Sequence, residues 1–225
     1  SALIGRACRG RTFLGLSDAR EGARFFYDRT ARVSATQHAV DRYLTLAREA
    51  GAPDPGGPLR WPLPAGTPPE AEVPSRPYLL LHPFSRGKGK SLSIEEVRHF
   101  CEAFPYPVVL AGRADVAAET VRRLPNVTSF LNATTLPELI WLLRQASFVI
   151  SVDSGPMHLA VALGKPLLAI HTWSDPVRVG PYAPEAPGAW IWQERTLRQV
   201  SDRPGKPEAM PDLTALAHWA ATQMP

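Results

Sequence analysis

The stretch Phe148–Pro166, FVISVDSGPMHLAVALGKP, combines the residue types and spacing best suited to chemistry. An apolar run ends at Val152, Asp153-Ser154-Gly155 turns the chain, and Pro156 then falls where a helix accepts proline, in its first turn. The amides of such a turn, added to the helix dipole, make an anion site at the carboxyl edge of a sheet, where open α/β folds bind their ligands. Gly155 lets an anion approach the backbone, Ser154 can donate its hydroxyl, and His158 can aim an imidazole at the same charge. A lone Asp-Ser-Gly turn is more often a plain helix cap. A strand, the DSG turn, a first-turn proline and a histidine three residues beyond Gly155 together favour the anion loop. Asp153, Ser154 and His158 are also the residue types of a hydrolytic triad, but no GxSxG elbow surrounds Ser154 and their closeness in sequence does not give triad geometry.

A second loop, His82–Lys90 (HPFSRGKGK), follows the short apolar run Tyr78–His82, and Gly87 and Gly89 let it fold over a ligand. A Lys-Gly-Lys in a loop is usually solvated, but a place at the end of the first strand of a sheet makes Lys90 a candidate ligand for an anion.

The elements that would position these loops alternate along the chain. Apolar runs at Tyr78–His82, Val108–Ala111, Val127–Phe130, Phe148–Val152 and Pro166–His171 read as strands. Helices are expected between them at Ser93–Phe104, where Ser93 and Glu96 form a capping box, at Ala114–Arg123, at Thr135–Gln145 and at Pro156–Leu163. This βα rhythm implies a parallel sheet covered on both faces. Upstream, Asp18–Tyr27 and His38–Ala50 read as helices, and residues 52–77 form a linker or long surface loop rich in Pro and Gly.

Composition narrows the classes. The 225 residues are 44% apolar and 20% charged, as in soluble globular proteins, and no uninterrupted apolar stretch reaches a membrane-spanning length. A net charge of +4, carried mainly by Arg, suits an anionic ligand, yet no aromatic-interleaved basic block points to nucleic acid. Cys8 and Cys101 lack metal-like spacing and read as free thiols. A dinucleotide-dependent oxidoreductase would fit the βα rhythm, but no G-x-G-x-x-G follows a strand.

Residues 151–182, SVDSGPMHLAVALGKPLLAIHTWSDPVRVGPY, resemble the signature of glycosyltransferase family 9, the heptosyltransferases of lipopolysaccharide core synthesis. That signature runs D-[ST]-G-x-x-H-x-A, a proline-led strand, then a T-x-P-x-x-x-G-P-Y-like loop. The resemblance implies that Asp153, Ser154, Gly155 and His158 bind the donor, and it aligns Asp175-Pro176 and Gly180-Pro181-Tyr182 with the later loop. The His82–Lys90 loop resembles the family's G-[ST]-x-x-x-K-x-W, whose lysine contacts the donor phosphates. Lys90 matches that lysine and Ser85 and Arg86 the upstream polar pair, whereas Leu92 replaces the tryptophan, so a sugar-side or acceptor-side contact is expected to differ. Val108–Asp115 resembles the strand and loop that bring an acidic residue to the ribose, which makes Asp115 a candidate, with helix capping a close rival. Thr134 and Thr135 fall where the family lines its adenine pocket, although an N-cap explains Thr135 equally well.

What the resemblance implies for the whole is an α/β fold of the GT-B type: a doubly wound, Rossmann-like parallel sheet as nucleotide-sugar lobe, plus a partial N-terminal lobe. The expected segments are a mainly helical remnant at 1–57, a linker at 58–77, the nucleotide-sugar domain at 78–200 and a tail with a helix at 201–225. The implied reaction is inverting transfer of heptose or a related sugar from ADP-heptose to a lipopolysaccharide core or other lipid-linked glycan. It needs no cofactor or metal, and its implied setting is the cytoplasm, with peripheral association at the inner face of the cytoplasmic membrane. The resemblance begins part-way into a family member, and the Gly-rich first strand with its proposed general-base aspartate has no counterpart here. No catalytic base is therefore named; Asp18, Glu21 and Asp41 are the carboxylates to test. The alternative is a non-catalytic nucleotide-sugar-binding module or an inactive fragment.

Overall fold

Residues 2–225 are described by a computed structural model, apart from Cys8, Arg9, Pro55, Arg76, Asp115–Ala117, Ala183, Glu185, Pro187 and Ser201–Lys206. The candidate ribose ligand Asp115 and the thiol of Cys8 thus lie outside the described residues. The chain divides into two compact units, Ser1–Leu59 with Val177–Val179, and Arg60–Pro176 with Gly180–Pro225.

In the smaller unit a short helix α1 (Ala2–Ala7) precedes two parallel strands, β1 (Leu14–Leu16) and β2 (Arg29–Ala31), and helix α2 (Ala39–Glu49) follows. Asp28 ties the unit together by accepting hydrogen bonds from Arg6 and from the Phe13 amide, each at 2.7 Å. The helix expected over Asp18–Tyr27 is replaced by a single 3-10 turn at Ala23–Phe26. Glu21 and Gly22 explain the change, because both adopt positive φ, which an α-helix cannot continue through.

The larger unit supplies β3 (Leu79–His82), α3 (Ile94–Ala103), β4 (Val108–Gly112), α4 (Glu119–Arg122), β5 (Val127–Leu131), α5 (Leu136–Gln145), β6 (Phe148–Val152), α6 (Gly155–Ala162) and β7 (Leu167–Ile170). After α7 (Pro176–Val179) come β8 (Trp190–Gln193), β9 (Thr196–Gln199), β10 (Glu208–Ala209) and α8 (Leu213–Ala221). Eight strands form one sheet in the order β10-β9-β8-β7-β6-β3-β4-β5. All neighbours from β8 to β5 are parallel.

Every residue of β3 and of β6 is buried, as a central parallel strand requires. Alternation then sorts their side chains to two faces. Leu79 and Leu81 join Val97 and Phe100 of α3 and Leu216 and Ala220 of α8. Leu80, Val109 and Val149 instead meet Leu142 and Leu143 of α5 and Met157 and Ala160 of α6. The sheet grows from β3 outward to β4 and β5, and the chain then returns to lay β6 on the other flank of β3. This reversal opens a crevice at the carboxyl ends of β3 and β6.

The strands and helices read from the βα rhythm are present, with α4 shorter than expected at Glu119–Arg122. The edge is different. β8, β9 and β10 pair antiparallel, and the β8–β9 hairpin turns through Glu194 and Arg195 at φ 50° and 59°. Both central residues at positive φ is the twist a two-residue hairpin wants, but without Asn-Gly or Asp-Gly the sequence carries no turn signal. Within the Pro-rich stretch, the carbonyls of Leu63 and Pro64 accept from Arg144, and the Thr67 amide donates to Pro137 O, so this part lies against α5.

Candidate functional site

Two loops meet at the crevice. The loop after β3 is clasped at its base, where Ser91 Oγ accepts from the Ser85 amide at 2.8 Å and donates to the Ser85 carbonyl at 3.0 Å. Gly89 takes a positive φ of 75°, and Leu92, buried in the core, anchors the exit. Leu92 thus stands in the core at the position where the family pattern has tryptophan. The result aims Lys90 across the crevice, with Nζ 2.6 Å from Asp153 Oδ2.

Asp153 starts the second loop. Its amide donates to Ile170 O, prolonging the β6–β7 ladder, and α6 begins at Gly155 with Ser154 as N-cap and Pro156 in the first turn. The Asp153 carboxyl is buried, which opposes its ionisation, but hydrogen bonds from Lys90 and Ser174 and the Lys90 charge outweigh burial and hold it below the usual carboxylate range. Asp153 is thus an anion that fixes Lys90. A Cβ added to Gly155 would meet nothing within 4 Å, so the backbone here is open to a ligand.

Two adjoining cavities, of about 540 and 530 Å³, lie beside these loops. The first is lined by Gly112, Arg113, Asn132, Thr134, Thr135 and Leu136 among others. The second is lined by Phe84, Ser85, Arg86, Arg113, Ser154 and Gly155 among others. Of the candidates, Ser85, Arg86, Thr134, Ser154 and Gly155 therefore face one cavity or the other, and Lys90 and Asp153 join at the crevice. His158 is exposed one turn along α6 and does not line either cavity. Thr135 does two jobs, since it lines the first cavity and also caps α5 through a reciprocal box with Glu138.

Sequence reasoning missed His82 and Arg113, which line both cavities. His82 is 7% exposed, and burial pushes its pKa down to about 4, so the ring is neutral at pH 7. Its Nδ1 lies 3.3 Å from Ser154 Oγ, and Gly112 covers the opposite side, where a Cβ would come within 3.2 Å of Nε2. The available signal was positional: His82 closes β3 and Arg113 follows directly after β4, both on the crevice side of the sheet. His171, just beyond β7, is outside the linings of both cavities. It is 1% exposed, with Nδ1 2.9 Å from Ser174 Oγ. Burial lowers its pKa, the Asp153 charge opposing.

Asp18, Glu21 and Asp41 belong to the smaller unit. The Asp18 pKa is lowered, chiefly by the hydrogen bond from Arg42 at 2.8 Å, which weakens it as a base.

A doubly wound sheet with cationic and amide-bearing loops at its switch point defines the class as a Rossmann-like α/β lobe. The family model for glycosyltransferase family 9 (heptosyltransferase) matches residues 1–205, and the chain belongs to that family. Among curated relatives, the lipopolysaccharide core heptosyltransferase OpsX of Haemophilus influenzae is 25% identical over 193 residues, covering 80% of this chain and 55% of that protein. The lipopolysaccharide heptosyltransferase 3 of Escherichia coli is 32% identical over 81 residues, covering 35% of this chain and 24% of the relative. The chain therefore spans about half the length, or less, of these relatives. Among solved structures, E. coli heptosyltransferase WaaC with ADP superposes with a TM-score of 0.68 at 22% identity, over 99% of this chain and 68% of that one. E. coli ADP-heptose lps heptosyltransferase II gives 0.65 at 22% identity, over 98% and 71%. At these identities the likeness establishes the GT-B fold.

Proposed function

We propose that the larger unit binds the nucleotide sugar of a glycosyltransferase that moves heptose or a related sugar, with inversion, from ADP-heptose to a lipopolysaccharide core or other lipid-linked acceptor. The observation that carries this reading is the meeting of Lys90 with the Asp153–Gly155 turn at 2.6 Å, beside cavities lined by Ser85, Arg86 and Arg113. The relatives are heptosyltransferases, and the WaaC structure was solved with ADP, which supports a nucleoside diphosphate as ligand.

Displacing a nucleoside diphosphate concentrates negative charge on the leaving group. In this reading Lys90, the Ser154 and Gly155 amides and the α6 dipole stabilise that charge, with Arg86 and Arg113 adding cationic surroundings. Thr134 and Thr135 lie along the nucleoside pocket, and His158 stands along α6 within the donor-binding segment. Asp153 acts through Lys90 and is not cast as a base. A cytoplasmic setting and an acceptor presented at the inner membrane face go with this reading.

Calorimetry tests it. The Lys90→Ala variant is expected to weaken ADP binding about 10- to 100-fold, or ~1–3 kcal/mol, the worth of a charge-assisted hydrogen bond. Lys165→Ala, at the opposite end of the sheet, should leave ADP affinity unchanged. Equal affinities in wild type and Lys90→Ala remove Lys90 from the site.

A further inference from the structure

We propose that Trp173 is the platform on which the sugar of the bound nucleotide sugar packs, and so a residue that determines donor selectivity. The inference rests on the donor reading above and deepens it.

Strand order gives the direction. At the carboxyl edge the ends follow one another as β5, β4, β3, β6 and β7. The cavity lined by Gly112, Arg113, Asn132 and Thr134 sits over β3, β4 and β5. Lys90 and the Ser154 turn occupy the β3–β6 junction. A nucleotide sugar is a linear molecule with its diphosphate in the middle. With the nucleoside over β4 and β5 and the diphosphate at the junction, the sugar reaches the next strand end, that of β7. Neighbouring strands are about 5 Å apart, roughly the width of a sugar ring. The turn leaving β7 carries Trp173.

The local structure suits a fixed platform. Trp173 is 64% exposed, whereas His171 and Ser174 on either side of its turn are 1% and 7% exposed. Hydrogen bonds hold that turn from three directions. His171 Nδ1 lies 2.9 Å from Ser174 Oγ, Gln193 Nε2 donates to Ser174 O at 3.2 Å, and Thr172 Oγ1 donates to Gly89 O at 2.7 Å. The last bond joins the turn to the Lys90 loop. Lys90 Nζ sits over the indole, 5.2 Å from the ring centroid, so the π-face already attracts positive charge beside the proposed diphosphate. The C–H groups of a sugar carry the same partial positive sign, and they pack on such a face while the hydroxyls stay free for polar partners. A singly exposed aromatic is ordinary on a surface. One held by a hydrogen-bonded turn with His171 and Ser174 buried at its ends, against the cation of the proposed anion site, has its position set for a ligand.

The test compares ADP with ADP-heptose as ligands of the full chain, by calorimetry, in wild type, Trp173→Ala and Trp173→Phe. Taking the ratio of the two affinities cancels any loss transmitted through Lys90 to the phosphates. The wild type should prefer ADP-heptose. Trp173→Ala should cut that preference about 3- to 10-fold, the size of one aromatic contact, and Trp173→Phe should restore most of it. An unchanged ratio in Trp173→Ala, with ADP still bound, overturns this inference and leaves the donor reading standing. Failure of the wild type to bind ADP overturns the donor reading and this inference with it.

Discussion

The two ends of the parallel sheet are built from different chemistry. At the amino ends Pro107 leads into β4, Asn126 into β5 and Pro166 into β7, and a shallow space of about 480 Å³ there is lined by Glu72, Val73, Pro74, Pro107, Pro125, Asn126 and Thr128. At the carboxyl ends the same sheet finishes in His82, Gly112, Asp153 and His171. The buried polar residues among those described, His82, Ser151, Asp153, His171 and Ser174, all cluster at this second end. Burying a polar group costs free energy unless it finds partners, so a fold gathers such groups where they serve something other than stability. Here they hold Lys90, the α6 N-terminus and the Trp173 turn in place around an open edge. One end closes the fold, and the other is the end at which we propose that the anion binds.

If that contrast is right, acid should damage the carboxyl end most. Folded His82 takes up its proton only near pH 4 because it is buried, whereas the unfolded chain does so near 6.5. Its contribution is complete above pH 6.5 and is lost as the pH falls to 4, by about 3 kcal/mol. His171, lowered by burial, pulls the same way. Asp153, below 3.8 because Lys90 and Ser174 outweigh its burial, adds a loss only in stronger acid. Urea unfolding from pH 8 to 4 measures the slope, which His82→Gln should flatten. A wild-type stability independent of pH over this range would break the comparison.

A smaller effect is expected at the amino end. Asn126 Nδ2 donates to the carbonyls of Cys101 and Phe104 at 2.8 Å each, closing the end of α3. Asn126→Ala should lower unfolding stability by about 2 kcal/mol. ADP affinity should stay within error, and a parallel loss of affinity would mean that the two ends are coupled. The smallest effect expected is none: EDTA should leave ADP binding intact, because Lys90 and the helix terminus are proposed to hold the diphosphate. Binding that collapses on chelation would instead assign the carboxyl-end anions to a metal bridge.

Much of this molecule is local and therefore legible along the chain. Leu79–His82 and Phe148–Val152 are apolar runs between turn signals and form strands of nearly those bounds. Ser93 with Glu96 and Thr135 with Glu138 announce helix starts through contacts only three residues long. Asp153-Ser154-Gly155-Pro156 likewise carries its turn and helix in adjacent residues, so half of the candidate site could be found from it. The other half depends on distance. Lys90 and Asp153 are 63 positions apart, and only the laying of β6 beside β3 brings them to 2.6 Å. His82 reads in sequence as the end of a strand, and its neutrality comes from the burial that Gly112 and Ser154 impose. The Glu194-Arg195 hairpin has no turn signal because the pairing of β8 with β9, not residue preference, holds both residues at positive φ. Patterns of neighbouring residues determined β3 to β7, the helices between them and the candidate loop at Asp153–Gly155. Strand order, an outcome of packing between distant segments, decided which side chains face that loop and in what charge state.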